Sequence, residues 1–249
     1  MERCAHGAVS PPCSFIPRLA FLIKGKHRLM CGDSANPADM KALMDGELAD
    51  MVFTDPPYGV SIGTKNRTMK TISRRGGITE DIAGDTLPPK ELSCLLLAAF
   101  TNVRAHIKDY CAVYVTAPIG GEVGYAMQGV MRGAGLTVRH ILVWVKNSPT
   151  FSLGRLDYEY QHEPILYTWP KTHKKVMGRT HRTSTWMIDR PQKSKLHPTM
   201  KPVELVANAI LNSSERADVV LDAFAGSGTM IVACEQTGRV CRAMELDPH

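Results

Sequence analysis

The chain of 249 residues is long enough to bury a large core, and α/β proteins of this length often form one domain. Its 30 Lys and Arg residues against 24 Asp and Glu residues give a net charge of +6, which permits a polyanionic partner without requiring one. Seven cysteines without a Cys-x-x-Cys pair, no Cys/His spacing that suits zinc and no apolar run long enough to span a membrane together indicate a soluble, cytoplasmic protein with free thiols and no metal.

The first half of the chain begins with a tail, assigned to residues 1–25, and then alternates strands with helices. The run HRLMCGD predicts a strand that ends at Asp33, and a helix follows from Pro37 with Asn36 as its cap. The nearly continuous apolar run DMVFTD predicts a strand that is covered on both faces. After a basic, glycine-containing loop, a helix with an apolar stripe is expected over Pro88–Ile107.

In the second half, the runs YCAVYVTA, RHILVWVK and HEPILYTW predict three more strands, with a helix over Gly121–Met131 between the first two. A second basic stretch precedes a helix predicted for KPVELVANAIL. The segment DVVLDAFAGSGTMIVACEQTG then predicts a strand, a glycine turn and a helix, and RVCRAMEL predicts the last strand. This alternation over residues 26–249 indicates an α/β domain with a mostly parallel, doubly wound sheet and helices on both faces.

The segment DPPY, Asp55–Tyr58, is the first candidate site because it places a carboxylate and a rigid turn directly after a buried strand. Two prolines restrict the backbone, so hydrogen-bond acceptors near Asp55 would be held in place. Asp-Pro-Pro is also an ordinary way to end a strand and begin a turn, so the motif alone leaves both interpretations open.

The segment VLDAFAGSGT is the second candidate site. A strand ends at Asp222, and Gly226 and Gly228 let the backbone approach a ligand at the start of a helix. The next strand ends at Glu245, the position where a carboxylate binds ribose hydroxyls in nucleotide-type sites. These features favour a nucleoside cofactor. The lack of Gly-Lys-Ser/Thr removes the usual NTPase interpretation, and the lack of a third glycine disfavours NAD without excluding it.

Together, DPPY and FAGSGT resemble the catalytic and cofactor motifs of the S-adenosylmethionine-dependent amino-methyltransferases of DNA. The catalytic motif comes first and LHPTMKPVEL lies between the two, an order that resembles the β-group of these enzymes. HRLMCGD, FTDPPYGV and YEYQHEPILY are similar to segments of adenine-N6 methylases from phages and prophages. The resemblance covers nearly all of His27–Pro248. It implies a Rossmann-like methyltransferase sheet with the catalytic strand before the cofactor strand, and a role in DNA methylation or restriction-modification in a bacterial or phage-infected cell.

The resemblance also implies roles for individual residues. Asp55 and the Pro56 carbonyl would accept the N–H groups of the exocyclic N6 amine of a flipped adenine, with Pro57 stiffening the turn and Tyr58 stacking on the base. The family pattern assigns binding of the cofactor S-adenosylmethionine to Asp33, His197, Thr199, Lys201, Asp222, Phe224, Gly226, Ser227, Gly228 and Thr229, and Glu245 is added from its position at the end of the last strand.

Two basic stretches are candidate contacts to double-stranded DNA, although either one could be a solvated face. In a parallel sheet both should emerge near the carboxyl ends of the strands, where ligands bind. Phosphate contacts are predicted in the first stretch, and target recognition in the second, within an insert over residues 170–196. The residues concerned are Lys65, Arg67, Lys70, Arg74 and Arg75 in the first, and Lys174, Lys175, Arg179 and Arg182 in the second.

Other functions remain open on the sequence. Methylation of cytosine N4 uses the same lone-pair chemistry, an RNA or protein amine is a third substrate class, and a DNA-binding module with weakened catalysis belongs to a different class of protein. Family members usually continue after ELDP into a helix beside the cofactor adenine. We therefore expect either that the chain is truncated after residue 248 or that another subunit covers that face. A homodimer and a partner nuclease both stay open as partners, because one chain specifies neither.

Overall fold

The computed structural model describes residues 21–59, 86–149, 157–173, 182–190 and 200–247. Ten of the predicted site residues lie outside these ranges: Lys65, Arg67, Lys70, Arg74, Arg75, Lys174, Lys175, Arg179, His197 and Thr199.

The described residues form the predicted strands and helices in the predicted order, together with two short strands that the sequence did not predict, Phe21–Lys24 and Thr185–Met187. The strands are β1 (Phe21–Lys24), β2 (His27–Cys31), β3 (Ala49–Thr54), β4 (Ile107–Thr116), β5 (His140–Val145), β6 (His162–Thr168), β7 (Thr185–Met187), β8 (Val219–Asp222) and β9 (Val240–Glu245). The helices are α1 (Pro37–Met44), α2 (Pro89–Ala105), α3 (Gly121–Gly133), α4 (Val203–Ser213) and α5 (Thr229–Thr237). Asn36 caps α1, as predicted, by accepting a hydrogen bond from the Ala38 N–H.

The strands make one sheet in the order β1-β2-β9-β8-β3-β4-β6-β5-β7. The pairs β2–β9, β9–β8, β8–β3, β3–β4 and β5–β7 are parallel, whereas β1–β2, β4–β6 and β6–β5 are antiparallel. The predicted mostly parallel sheet is therefore confirmed. The winding direction reverses between β8 and β3, and ligands of such sheets bind beside the carboxyl ends of the strands at this switch point.

Helices cover both faces of the sheet, as predicted. On one face α1, α2 and α3 bury an apolar cluster that includes Met40, Phe100 and Met127. On the other face α4 and α5 bury a second cluster that includes Leu205 and Met230. All six residues of β3 are buried, because its side chains alternate between the two clusters.

The sheet also includes residues that the sequence placed in the tail. Strand β1 pairs antiparallel with β2 through a turn at Gly25, whose φ of +62° suits glycine. The assignment of residues 1–25 to a tail is therefore wrong for Phe21–Lys24. Pro17 and Arg18 interrupt the apolar run upstream, but the four residues FLIK are enough for a short edge strand.

The cysteines differ in state. Cys31, Cys111, Cys234 and Cys241 carry free thiols, whereas Cys94 is disulfide-bonded, so the prediction of free thiols is wrong for Cys94. An odd cysteine count argues against a framework of bridges but leaves room for a single one.

Within the described ranges, no group of His, Cys, Asp and Glu side chains is arranged to hold a metal ion, and no helix is both long and apolar enough to cross a membrane.

Candidate active site

The two predicted sites meet at the switch point of the sheet. Thr54, the last residue of β3, donates a hydrogen bond from Oγ1 to Asp222 Oδ1 on β8 at 2.8 Å. The Phe224 N–H donates to the same oxygen at 3.1 Å. Burial raises the pKa of Asp222 to about 7 even though these two hydrogen bonds lower it, so this carboxyl group titrates near neutral pH.

The Asp55 carboxylate follows β3 directly and is held by three donors. Oδ1 accepts hydrogen bonds from the Tyr58 hydroxyl at 2.9 Å and from the hydroxyl of Thr116, the last residue of β4. Oδ2 lies 2.8 Å from the ammonium of Lys201. The Asp55 side chain is 27% exposed, so it is fixed in orientation and still accessible from solvent. Such an acceptor is preorganised.

Tyr58 is partly buried beside Asp55. Burial and the neighbouring charge of Asp55 raise the pKa of Tyr58 well above its usual value, so its hydroxyl stays protonated and donates. The Lys201 ammonium lies 5.7 Å from the centre of the Tyr58 ring, within the range of a cation–π contact. The predicted stacking of Tyr58 on a base stays a prediction.

Lys201 lies between two carboxylates. The sequence assigned Lys201 to the cofactor, whereas the structure places its ammonium 2.8 Å from Asp55 Oδ2 and 3.3 Å from Glu163 Oε2. Burial by itself would lower the pKa of Lys201, but the two carboxylates outweigh it and raise this pKa above the usual value. The Lys201 carbonyl accepts a hydrogen bond from Thr229 Oγ1 at 3.2 Å, so its backbone contacts the start of α5.

Glu163 and Lys146 complete this charged cluster, and the sequence assigned a role to neither. Glu163 lies on β6, and its Oε1 forms an ion pair with the ammonium of Lys146, which follows β5 and is 6% exposed. Burial would raise the pKa of Glu163, but the ammonium groups of Lys201 and Lys146 lower it below the usual value. The sequence did contain a signal for this pair. Glu163 in QHEPILYTW and Lys146 after HILVWV are charged residues in or beside apolar runs, where a charge needs a partner.

The glycine turn lies beside Asp222, as predicted. Gly226 and Gly228 have φ values of +50° and +73°, and Gly228 caps α5. The Gly226 N–H donates to Glu245 Oε2 at 2.7 Å, so the last carboxylate of β9 faces the turn. A Cβ atom on Gly226 would meet no atom within 4 Å, so the absent side chain leaves open space beside the backbone. Phe224 is partly buried against the core, and Ser227 Oγ lies 3.0 Å from Thr229 Oγ1.

Asp33 lies on the same side of the sheet. It follows β2, and the neighbouring Gly32 N–H donates to the Glu245 carbonyl at 2.9 Å. Asp33 Oδ1 accepts a hydrogen bond from the Ala35 N–H at 2.9 Å. The structure therefore brings Asp33, Glu245, Gly226 and Asp222 together along the carboxyl ends of β2, β9 and β8. These residues fit a nucleoside cofactor, with carboxylates for its polar groups and an open backbone for close approach.

The second basic stretch does not start where it was predicted. Strand β6 is antiparallel to β4, so its carboxyl end lies beside the amino end of β4. There Lys171 Nζ lies 2.8 Å from Asp109 Oδ2, near the start of β4. The expectation that this stretch emerges beside the carboxyl ends of the parallel strands is therefore wrong for Lys171. Arg182 lines a pocket between β7 and α4 together with Trp186 and Leu211.

A doubly wound sheet whose switch point joins a DPPY loop to a glycine turn defines a Rossmann-like methyltransferase. A family model described as DNA methylase matches residues 49–249, and the chain belongs to this family of N6 and N4 DNA methyltransferases.

Relatives agree with this assignment. The chain is 23% identical over 219 residues to the type II methyltransferase M2.MboI of Moraxella bovis, covering 80% of this chain and 76% of that protein. The crystal structure of the M1.HpyAVI–SAM complex superposes with a TM-score of 0.62 at 19% identity, covering 88% of this chain and 92% of that one. The cytosine-N4-specific PvuII DNA methyltransferase superposes with a TM-score of 0.64 at 16% identity, covering 90% and 83% of the two chains. At these identities the two structures show a shared fold.

Proposed function

We propose that the protein transfers a methyl group from S-adenosylmethionine to the exocyclic N6 amine of adenine in double-stranded DNA. The observation that carries this proposal is the Asp55 carboxylate, which three donors orient at the switch point while it stays accessible. In a DNA methylase, an acceptor in this place is suited to binding the amine of the target base.

The chemical need for Asp55 follows from the substrate. An exocyclic base amine is a poor nucleophile, because its lone pair is delocalised into the ring. Hydrogen bonds from its N–H groups to the Asp55 carboxylate and the Pro56 carbonyl would localise that lone pair and direct it toward the cofactor. Catalysis would then consist of positioning and electrostatic stabilisation, without a covalent intermediate. After transfer, the nitrogen carries an extra proton, which Asp55 would accept.

The cofactor would be held by residues of β2, β8 and β9. When bound, S-adenosylmethionine supplies an electrophilic methyl group. Glu245 would bind its ribose and Asp33 its adenine, and the open space beside the backbone of Gly226 would allow close approach. Asp222 is hydrogen-bonded to Thr54, the residue before Asp55, so it connects these cofactor residues with Asp55.

The choice of adenine is supported by the Asp in DPPY, because the cytosine-N4 enzymes of the resembled group more often carry Ser there. Cytosine N4 is the second candidate target, since the PvuII enzyme with that specificity shares the fold.

Direct product analysis tests the proposal. The purified protein is incubated with isotopically labelled S-adenosylmethionine and unmethylated genomic DNA, and the DNA is digested to nucleosides for mass spectrometry. Label in N6-methyldeoxyadenosine is expected, whereas label in N4-methyldeoxycytidine would assign the second target. Cofactor binding without label in any nucleoside would favour a DNA-binding module with weakened catalysis. Asp55→Ala serves as the inactive control.

A further inference from the structure

The Asp55 carboxylate has few free positions for a substrate amine. Each carboxylate oxygen accepts about two hydrogen bonds, and Oδ1 already accepts two, from Tyr58 and Thr116. Oδ2 is bound by the Lys201 ammonium at 2.8 Å. An ammonium and an exocyclic amine both present N–H donors to a carboxylate. Lys201 therefore holds one of the two positions on Oδ2, the only oxygen of Asp55 with a position left among the described contacts, and competes there with the target amine.

Glu163 offers the same ammonium a second position. Its Oε2 lies 3.3 Å from Lys201 Nζ, within ion-pair distance. This buried oxygen has no aligned hydrogen-bond partner among the described residues. A short movement of Lys201 Nζ toward Oε2 would satisfy that oxygen and free Asp55 Oδ2.

The charges of the cluster permit such a movement once the target amine supplies a donor to Asp55 in place of the ammonium. Asp55 and Glu163 carry two negative charges, and Lys201 and Lys146 carry two positive charges, so the four groups balance. Burying an unpaired charge is costly, so Lys201 leaves Asp55 only if another carboxylate receives it. Lys146 occupies Oε1 of Glu163 and leaves Oε2 for Lys201.

We propose that Glu163 is a positioning residue for methyl transfer, which draws Lys201 away from Asp55 Oδ2 as the target amine binds. This inference rests on the proposed amine methylation, whichever base is the target. Glu163 acts through Lys201 and does not itself touch the reacting atoms.

The first test is the variant Glu163→Gln, which keeps the shape of the side chain and removes its charge. Lys201 should then stay on Asp55, and kcat/KM for DNA should fall by about tenfold, the scale of one hydrogen bond to a charged group. The affinity for S-adenosylmethionine should not change. Glu47→Gln is the matched control, because it neutralises a carboxylate paired with buried Arg242 elsewhere in the sheet and should keep wild-type kcat/KM.

A double-mutant cycle separates positioning from a general structural effect. In a Lys201→Met background no ammonium competes for Asp55, so Glu163→Gln should cause no further loss. Independent losses from the two substitutions would overturn the proposal.

Equilibrium binding gives the same information if Lys201→Met abolishes turnover. The wild type and the Glu163→Gln variant are titrated, in the presence of S-adenosylhomocysteine, with a target duplex and with a duplex whose target base lacks its exocyclic amine. Glu163→Gln should weaken binding of the first duplex by about tenfold and leave the second unchanged. Equal weakening of both duplexes, or of neither, would refute the role of Glu163. Failure of the proposed function is recognised separately, because the wild type itself would then methylate no DNA base.

Discussion

The Lys201 ammonium and Asp55 Oδ2 lie 2.8 Å apart, which joins the segment before α4 to the carboxyl end of β3. The two residues are far apart in the sequence, yet they share one partly accessible cluster with Glu163. Catalysis at Asp55 should therefore depend on residues well outside the DPPY segment.

Removal of the Asp55 carboxylate should abolish methyl transfer while leaving cofactor binding nearly intact. We expect Asp55→Ala to lower kcat by at least about 10²-fold, the usual cost of removing a preorganised electrostatic group. Transfer of labelled methyl groups to DNA measures the rate, and isothermal titration with S-adenosylmethionine measures binding. Loss of cofactor binding with the fold intact would remove Asp55 from this role.

A side chain at Gly226 should block cofactor binding. Valine there would fill the open space beside the backbone and would be strained at a φ of +50°. The matched control is Gly46→Val, because Gly46 has a φ of +81°, its Cβ would also meet no atom within 4 Å, and it lies just after α1. Both variants should lose some stability, but only Gly226→Val should lose affinity for S-adenosylmethionine in titration calorimetry. Wild-type affinity in Gly226→Val would mean that the turn is structural only.

The raised pKa of Asp222 should make stability depend on pH. The pKa is about 7 in the folded protein, against about 3.9 in an unfolded chain. The folded state then binds more protons between these two values, so the contribution of Asp222 to stability is present below pH 4 and is lost as pH rises through 7. Asp222→Asn keeps the acceptor oxygen and removes this titration. Urea unfolding at pH 5 and pH 8 should show a fall in the free energy of unfolding that is larger, by on the order of 1 to 3 kcal/mol, in the wild type. An equal fall in both proteins would contradict the assignment.

Neutralising Arg74 and Arg75 tests the predicted phosphate contacts. If both bind phosphates, their replacement by alanine should weaken binding to all DNA sequences alike and make the slope of log affinity against log salt shallower by about two units. Lys171→Ala is the control. Lys171 pairs with Asp109 near the amino end of β4, away from Asp55, so its replacement should leave the slope unchanged. A wild-type slope in the double variant would mean that DNA is bound elsewhere.

The sequence could predict those parts of the site that lie at the ends of apolar runs. Asp55, Asp222 and Glu245 each end such a run, and parallel strands bring these ends to one edge. It could not predict the pairing of Glu163 with Lys146, which follows from the register that places Trp144 opposite Glu163. An apolar run specifies a buried strand but not its direction. For this reason the reversal of β6, and with it the position of Lys171, was missed.

The place of β8 and β9 in the sheet has a consequence for how the molecule folds. Among the described residues these two strands come last in sequence, yet they lie inside the sheet, between β2 and β3. Until they are added, the β1–β2 hairpin and the unit β3-β4-β6-β5-β7 each expose an unpaired edge, and such edges invite association with other chains. We expect the insertion of β8 and β9 to be slow, because it requires contacts between distant parts of the chain. Nascent chains that pause before residue 219 should therefore depend on chaperones, because neither half can complete the sheet alone.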